Sequence, residues 1–371
     1  MFSANDFIPS PYSHFLEKGS FCWSAPSNIA LVKYWGKKTG NLEQIPANPS
    51  VSFTLNNCKT STKLTFEKKT ISTALDVIDS GFSFELLFEG KPKEGFKPKI
   101  EKFFERIEMY LPFLKNYHFK IDTQNTFPHS SGIASSASGM AALAMNLMSI
   151  EKALCPEMTD DYFYQKASFL ARLGSGSACR SIKGNVVVWG NHENTKGSSD
   201  EFGIEFPNVI HANFKNFQDT ILLVDKGEKQ VSSTIGHDLM HNHPFAERRF
   251  IQVHENLNQL GNVLQSGNLD AFITIVESEA LTLHSMMMTS IPYFILMKPN
   301  TLQIINAIWN YRKETNIPVC FTLDAGANVH VLYPENVKQD VLQFIQDELV
   351  GYCQNGQYIC DEIGSGAMKI D

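Results

Sequence analysis

Charge excess of the positive sign, long apolar runs and paired cysteines are all scarce in this chain, and each scarcity removes a class of function. Lys and Arg number 32 against 39 Asp and Glu, a net charge of -7 over 371 residues. No global field draws the chain to nucleic acid or an anionic membrane, so an anionic ligand must be met by cations gathered locally. The cysteines number seven, scattered from Cys22 to Cys360 without a Cys-x-x-Cys pair. That argues against a disulfide framework and a zinc ribbon, and it fits a reducing, cytoplasmic setting. The longest apolar-leaning stretch, Gly139 to Ile150, is too short to span a bilayer. The opening MFSANDFIPSPYSHF lacks the basic-then-apolar order of an export signal, so neither export nor a membrane span is expected.

What is present is the balance of a folded protein, with 43% hydrophobic and 19% charged residues. The length exceeds what one core usually serves, so about two domains are expected. Strand-like segments (Val51 to Leu55, Phe82 to Phe88, His118 to Thr123, Asn185 to Trp189) mix with helical ones (Lys99 to Leu111, Ser135 to Ile150, Tyr162 to Leu173). This is an α+β pattern without regular βαβ alternation. The polar run Asn191 to Phe202 reads as a surface loop, with a domain boundary before a strand at Thr220 to Asp225. Helices are expected near Pro244 to Gln265, Leu269 to Met287 and Thr301 to Thr315, followed by paired strands around Asp324. The charged clusters Lys97 to Lys102 and Glu247 to Arg249 read as solvated helix faces.

Four segments carry chemistry. FPHSSGIASSASGMAALA, Phe127 to Ala144, runs a small-residue loop into an alanine-rich helix, where free N–H groups and Ser hydroxyls make an anion site. Gly132 lets the chain approach a phosphate, and Ser135 and Ser136 suit phosphate oxygens or magnesium. The loop has neither the G-K-[ST] of the Walker pattern nor G-x-G-x-x-G, and a serine-capped helix entry also accounts for it. GSGSACRSIKG, Gly174 to Gly184, sets Arg180 near Ser175 and Ser177, chemistry for a carboxylate or diphosphate, although a helix C-cap and polar turn explains it equally. SAPSNIALVKYWGKK, Ser24 to Lys38, gathers Lys33, Lys37 and Lys38 beside Tyr34 and Trp35, as an anion site or a solvated basic turn. CFTLDAGANVHVLYP, Cys320 to Pro334, reads as a hairpin. Its Asp324 gains a role if it faces a cleft, where an adjacent lysine would hold it ionised and aim it at a hydroxyl. His237, His241 and His243 lack the H-E-x-x-H pattern and read as a polar helix entry.

In this order the four segments resemble the GHMP kinase superfamily, and within it the diphosphomevalonate decarboxylase family. NIALVKYWGK, NPSVSFTL, FPHSSGIASSASG, GSGSACRS, VSSTIG at Val231 to Gly236 and LDAGAN carry the resemblance over Asn28 to Asn328. It implies an ATP-binding domain with a left-handed βαβ unit over residues 1–213, a ferredoxin-like domain over residues 214–371, and an active site in the cleft between. It also implies ATP and magnesium as cofactors, a homodimer, and mevalonate 5-diphosphate converted to isopentenyl diphosphate.

By motif, Ser130, Gly132, Ser135, Ser136 and Ala137 would serve ATP, with Ser135 on magnesium through the nucleotide. Tyr34, Lys37, Ser175, Ser177, Arg180 and Ser233 would hold substrate, and Asp324, Lys33 and Arg180 would be catalytic. Ala327, His237 and Thr234 depart from the residues the family often has there. The competing expectations are a related kinase that phosphorylates mevalonate or a mevalonate phosphate without decarboxylation, and a non-catalytic ligand-binding homologue.

Overall fold

The first half of the chain folds as one large sheet backed by helices. The computed structural model describes residues 2–38, 44–70, 81–128, 133–227 and 233–370. Long strands β1 (Lys18–Val32) and β2 (Ser50–Lys68) pair antiparallel, followed by β3 (Ser83–Phe88) and the short β4 (Lys91–Pro92). Helix α1 (Lys97–Ile107) crosses from β3 to β5 (Tyr117–Asn125), which lies parallel to β3 and antiparallel to β2. Helices α2 (Ser135–Leu154) and α3 (Asp160–Gly174) come next, then β6 (Val186–Trp189) on β2 and β7 (Ile204–Glu205) on β6.

The second half builds a smaller antiparallel sheet. It contains β8 (Gln218–Leu222), helices α4 (Ser233–Asp238), α5 (Ala246–Ser266), α6 (Leu269–Met288) and α7 (Pro299–Thr315), then β9 (Cys320–Thr322) and β10 (Val329–Tyr333). Helix α8 (Lys338–Phe344), β11 (Tyr358–Glu362) and β12 (Met368–Lys369) close the chain. The strand order is β11-β8-β10-β9, while β12 returns to the first sheet and pairs with β1. The elements expected from periodicity are all present, so the α+β reading holds.

Three apolar clusters explain why these segments pack as they do. Phe66, Phe104, Phe113, Tyr117 and Phe119 pack under α2, whose burial on nearly all sides accounts for a sequence without a polar stripe. Ile29, Val51 and Phe53 of the first sheet share a second cluster with Ile221, Leu257 and Phe272 of the second half. A third cluster joins Leu222 and Val331 to Ile304 and Ile308 of α7 and Phe344 of α8. The shared cluster makes the two sheets neighbours, and Asp361 reinforces it by accepting the N–H groups of Asn56, Asn57 and Cys58 at 2.7–2.9 Å. A carboxylate accepting several backbone N–H groups is a strong tie.

Strand β1 changes character along its length. Lys18 to Cys22 alternate between exposed and half-buried, while Trp23 to Val32 are buried on both faces. Register shifts fall between Pro26 and Asn28 and between Ala30 and Val32. Proline offers no N–H to a ladder, and such irregularities bend a strand and end its pairing. The strand therefore stops at Val32 and delivers Lys33 onward.

Candidate functional site

Lys33 is 2% exposed, a position that a lysine holds only with partners. Its Nζ donates to Asp324 Oδ1 at 3.2 Å. Its backbone is held as firmly: the N–H donates to Glu279 Oε2 at 2.8 Å, and the carbonyl accepts from Asn48 Nδ2 at 2.9 Å and Arg249 Nη2 at 3.2 Å. Burial pushes the Lys33 pKa down, the charges of Asp324 and Glu279 push it back up, and Arg180 lowers it again.

Asp324 sits in the loop between β9 and β10, and its side chain is 28% exposed. The loop is fixed at both ends. His284 Nε2 donates to the Asp324 carbonyl at 3.1 Å, and Thr301 Oγ1 donates to the Ala327 carbonyl at 2.7 Å. Asn328 Oδ1 accepts the Asp225 N–H at 2.9 Å. His284 is neutral near pH 7, because burial lowers its pKa to about 4.

A second cation lies nearby. Arg180 is buried, with its guanidinium over the Trp189 ring at 5.7 Å, and it donates to Asn28 Oδ1 at 3.3 Å and to Ser50 Oγ. Burial lowers its pKa, and the charge of Asp324 is among the influences that raise it. Tyr34 packs on Trp189 at 4.6 Å, and its buried hydroxyl has no hydrogen-bond partner among the described residues. Lys37 is half-buried, with burial lowering its pKa against the pull of Asp238. Among the described residues neither Arg180 nor Lys37 has a carboxylate within 4.0 Å. A buried hydroxyl on which the Arg180 charge acts suits an anionic ligand.

The segments around Ser136 and Ser175 meet. Ser136 Oγ and Ser175 Oγ are 3.4 Å apart, which brings the entrance of α2 against the loop that carries Ser177 and Arg180. The serine-capped alternative for this entrance does not hold: the cap residue is Ala134, with φ of 28° and ψ of 39°, and no side-chain cap bond is present among the described residues. A non-glycine residue held there costs about 1–2 kcal/mol. Ser135 is half-buried and Ser136 exposed, whereas Ala137 is turned into the core with its N–H given to the Ala134 carbonyl at 2.8 Å. Ser130 and Gly132 lie outside the described residues, as does the side chain of Ser233 at the start of α4. A cavity of about 130 Å³ adjoins Ser135 and Ser136, walled by Phe88, Phe96, Ile100 and Met140, with Thr60 and Lys99 on its rim.

Several residues here escaped the reading of the sequence. Glu247 to Arg249 looked like a solvated face, yet Arg249 is fully buried and grips Glu279 at 2.6 and 2.8 Å. One signal was available: Glu279 stands in the mostly apolar stretch of α6, and a buried carboxylate requires a cation. Lys99 is exposed, as the solvated-face reading has it, although partial desolvation of its ammonium lowers its pKa. The polar run Asn191 to Phe202 is folded inward, with His192, Thr195, Ser198, Ser199 and Phe202 buried. His237 is buried as well, and α4 ends at Asp238, so His237 and His241 share no helix.

Comparison with known proteins follows the same geometry. The family profile described as diphosphomevalonate decarboxylase-like N-terminal domain matches residues 25–200, and that of the mevalonate 5-diphosphate decarboxylase C-terminal domain matches residues 220–366. The diphosphomevalonate decarboxylase of Aspergillus fumigatus is 29% identical over 84% of this chain and 76% of its own length. A crystal structure of mevalonate diphosphate decarboxylase from Staphylococcus aureus is similar with a TM-score of 0.79 and 28% identity, covering 95% of this chain and 98% of that one. A solved complex with MVAPP, AMPPCP and magnesium is similar with a TM-score of 0.77 and 30% identity, covering 95% of this chain and 99% of that one.

Proposed function

The chain belongs to the diphosphomevalonate decarboxylase family, and on that premise we propose how its cleft divides the work of one reaction. The reaction is the ATP-dependent decarboxylation of mevalonate 5-diphosphate to isopentenyl diphosphate, with ADP, phosphate and carbon dioxide released. The observation that carries the assignment of roles is the Lys33–Asp324 ion pair, in which the lysine is 2% and the carboxylate side chain 28% exposed.

Asp324 orients the substrate's tertiary hydroxyl and accepts its proton as the γ-phosphoryl group of ATP transfers to that oxygen. The phosphorylated oxygen then leaves as phosphate. The electron pair of the C–C bond to the carboxylate forms the new double bond, and carbon dioxide departs. Lys33 fixes the Asp324 carboxylate, and Arg180 holds the substrate carboxylate in line for loss. Tyr34, Lys37, Ser175, Ser177 and Ser233 hold the rest of the substrate, and the unpartnered Tyr34 hydroxyl supports this.

Ser135 and Ser136, with Ser130 and Gly132, form the cradle for the ATP phosphates, while Ala137, expected there too, has its N–H engaged by Ala134 and packs beneath. The uncapped entrance of α2 supports that reading, since first-turn N–H groups favour an anion. The neighbouring cavity, with its aromatic walls, suits the adenine ring. The Ser135 hydroxyl would hold magnesium through the nucleotide, and the ion would supply charge neutralisation to the transferring group.

The same proposal divides the chain into an ATP-binding domain over residues 1–213 and a second domain over residues 214–371. The separate sheets support it, although β12 crosses back. It also includes a cytoplasmic setting, which the seven free thiols favour, and a homodimer. Ile291, Tyr293 and Ile295 are 85, 78 and 61% exposed, an apolar face for a second copy to cover.

Purified chain supplied with magnesium-ATP and mevalonate 5-diphosphate is expected to release ADP and carbon dioxide in equal amounts, and to sediment as a dimer. ADP without carbon dioxide would identify a kinase. Binding without turnover would favour the non-catalytic reading, and a monomer would remove the assembly.

A further inference from the structure

One side chain outside the motif roles touches three consecutive residues of the substrate segment. His237, in the last turn of α4, is only 8% exposed, and its Nδ1 accepts the Gly36 N–H at 2.9 Å. A backbone N–H can only donate, so Nδ1 is the unprotonated nitrogen and the neutral ring carries its proton on Nε2. The imidazole lies 4.2 Å from the Tyr34 ring at 31° and 4.6 Å from the Trp35 ring at 41°. One ring thus packs against Tyr34 and Trp35 and accepts from Gly36, immediately before Lys37.

The turn needs such a hold. Gly36 has φ of 102°, a region glycine enters freely and other residues rarely, and a free glycine there samples many conformations. Close neighbours limit it: a Cβ on Gly36 would meet Ala47, Met240 and Phe250 at 3.3–3.4 Å. On the α4 side, a Cβ on Gly236 would meet the Trp35 ring at 2.5 Å. Helix α4 and the 34–37 turn are therefore in close register, and the hydrogen bond to His237 links them. Burial lowers the His237 pKa to about 3, with Lys37 and Arg180 adding to the effect, so the acceptor persists through the ordinary pH range.

We propose that His237 is a positioning residue that latches the Tyr34–Lys37 turn to α4, holding the Tyr34 hydroxyl and the Lys37 ammonium ready for the substrate's diphosphate. Releasing the latch leaves both groups to be ordered on binding, and that entropy appears as lost affinity. The inference rests on the assignment of Tyr34 and Lys37 to the diphosphate.

The test is titration calorimetry of the full-length protein with mevalonate 5-diphosphate and, separately, inorganic diphosphate, neither of which requires turnover. His237→Met keeps a side chain of similar bulk but removes the strong acceptor, and it is expected to weaken both ligands about tenfold while binding of an ATP analogue changes less than about twofold. His237→Asn returns an oxygen acceptor to Gly36 and is expected to recover most of that loss. In turnover the change should fall on KM rather than kcat.

Equal losses in the two variants would overturn the latch, since a packing role does not distinguish them. So would unchanged affinity in His237→Met, a matching loss for the ATP analogue, or a wild-type protein that binds neither ligand. A wild type that binds both ligands but releases no carbon dioxide would sink the proposed reaction and leave the latch standing.

Discussion

Two buried ion pairs meet at Lys33, one sealed and one open. Arg249 and Glu279 are both 0% exposed and bond at two points. Glu279 also takes the Lys33 N–H at 2.8 Å and an Asn256 N–H at 2.6 Å, while Arg249 reaches the Lys33 carbonyl. Lys33 with Asp324 differs in one respect: the carboxylate side is 28% exposed. Every strong bond of the first pair points inward, so its role is to hold the chain. The second keeps part of its carboxylate exposed, as the first does not. Exposure of the carboxylate thus separates a pair that only holds the chain from one that a ligand can approach.

The largest expected effect falls on the open pair. Asp324→Asn should cut kcat by about 10⁴-fold, roughly 5.5 kcal/mol at the barrier, while stability falls less than in Glu279→Gln, because burial already lowers the Lys33 pKa and the lysine can shed its proton once Asp324 is neutral. Parallel turnover and thermal unfolding would check this, and a variant equally damaged in both would erase the distinction between the pairs.

The sealed pair should behave the other way. Glu279→Gln strands the Arg249 charge and is expected to remove about 3–5 kcal/mol of stability in urea unfolding. Combining Arg249→Met with Glu279→Leu should restore most of the stability, because apolar packing often replaces a buried pair without loss. The Lys33 backbone would still lack its partners, so turnover should remain depressed. Full activity in the double variant would show that the grip on Lys33 is dispensable.

The smallest effect concerns pH and the histidines flanking the site. His237 and His284 have pKa values pushed down to about 3 and about 4, against an ordinary 6.5, with burial the main cause for each. Above pH 6.5 both states leave them neutral and stability is full. Below it the unfolded chain takes protons that the folded one refuses, so stability falls as pH drops toward 4. At pH 5 the loss is roughly 2 kcal/mol for each histidine. Urea midpoints at pH 7 and pH 5 measure it, and identical midpoints would mean that these rings titrate normally in the fold.

Much of the architecture was legible because it follows from local pattern. Alternation in His118 to Thr123 and the apolar run of α2 report directly on a sheet face and a buried helix, and the expected segments lie within a few residues of the observed elements. Residue type suggested one anion site at Lys33, Lys37 and Lys38 and another at Arg180 with Ser175 and Ser177, and only the family resemblance joined Arg180 to Lys33. The run Lys97 to Lys102 keeps its charges toward solvent as read, whereas Glu247 to Arg249 misled because a string such as Glu-Arg-Arg looks the same whether its arginine faces water or a carboxylate thirty residues away in another helix. The run Asn191 to Phe202 misled likewise, since small polar residues bury readily once hydrogen-bonded, as Ser198 is to the N–H and carbonyl of His192.

By itself the sequence determined the list of parts: which segments curl or extend, where the chain offers hydroxyls and N–H groups to phosphate, and that Asp324 had the chemistry for a hydroxyl. Those properties depend on neighbours a few residues apart. Only the tertiary structure decided that Asp324 meets a lysine 291 positions away, that Glu279 holds that lysine across 246 positions, and that His237 belongs to the Tyr34–Lys37 turn. The physical reason is burial. Desolvating a charge is tolerable only where partners from distant elements arrive together, and packing of the two sheets around their shared cluster sets those meetings.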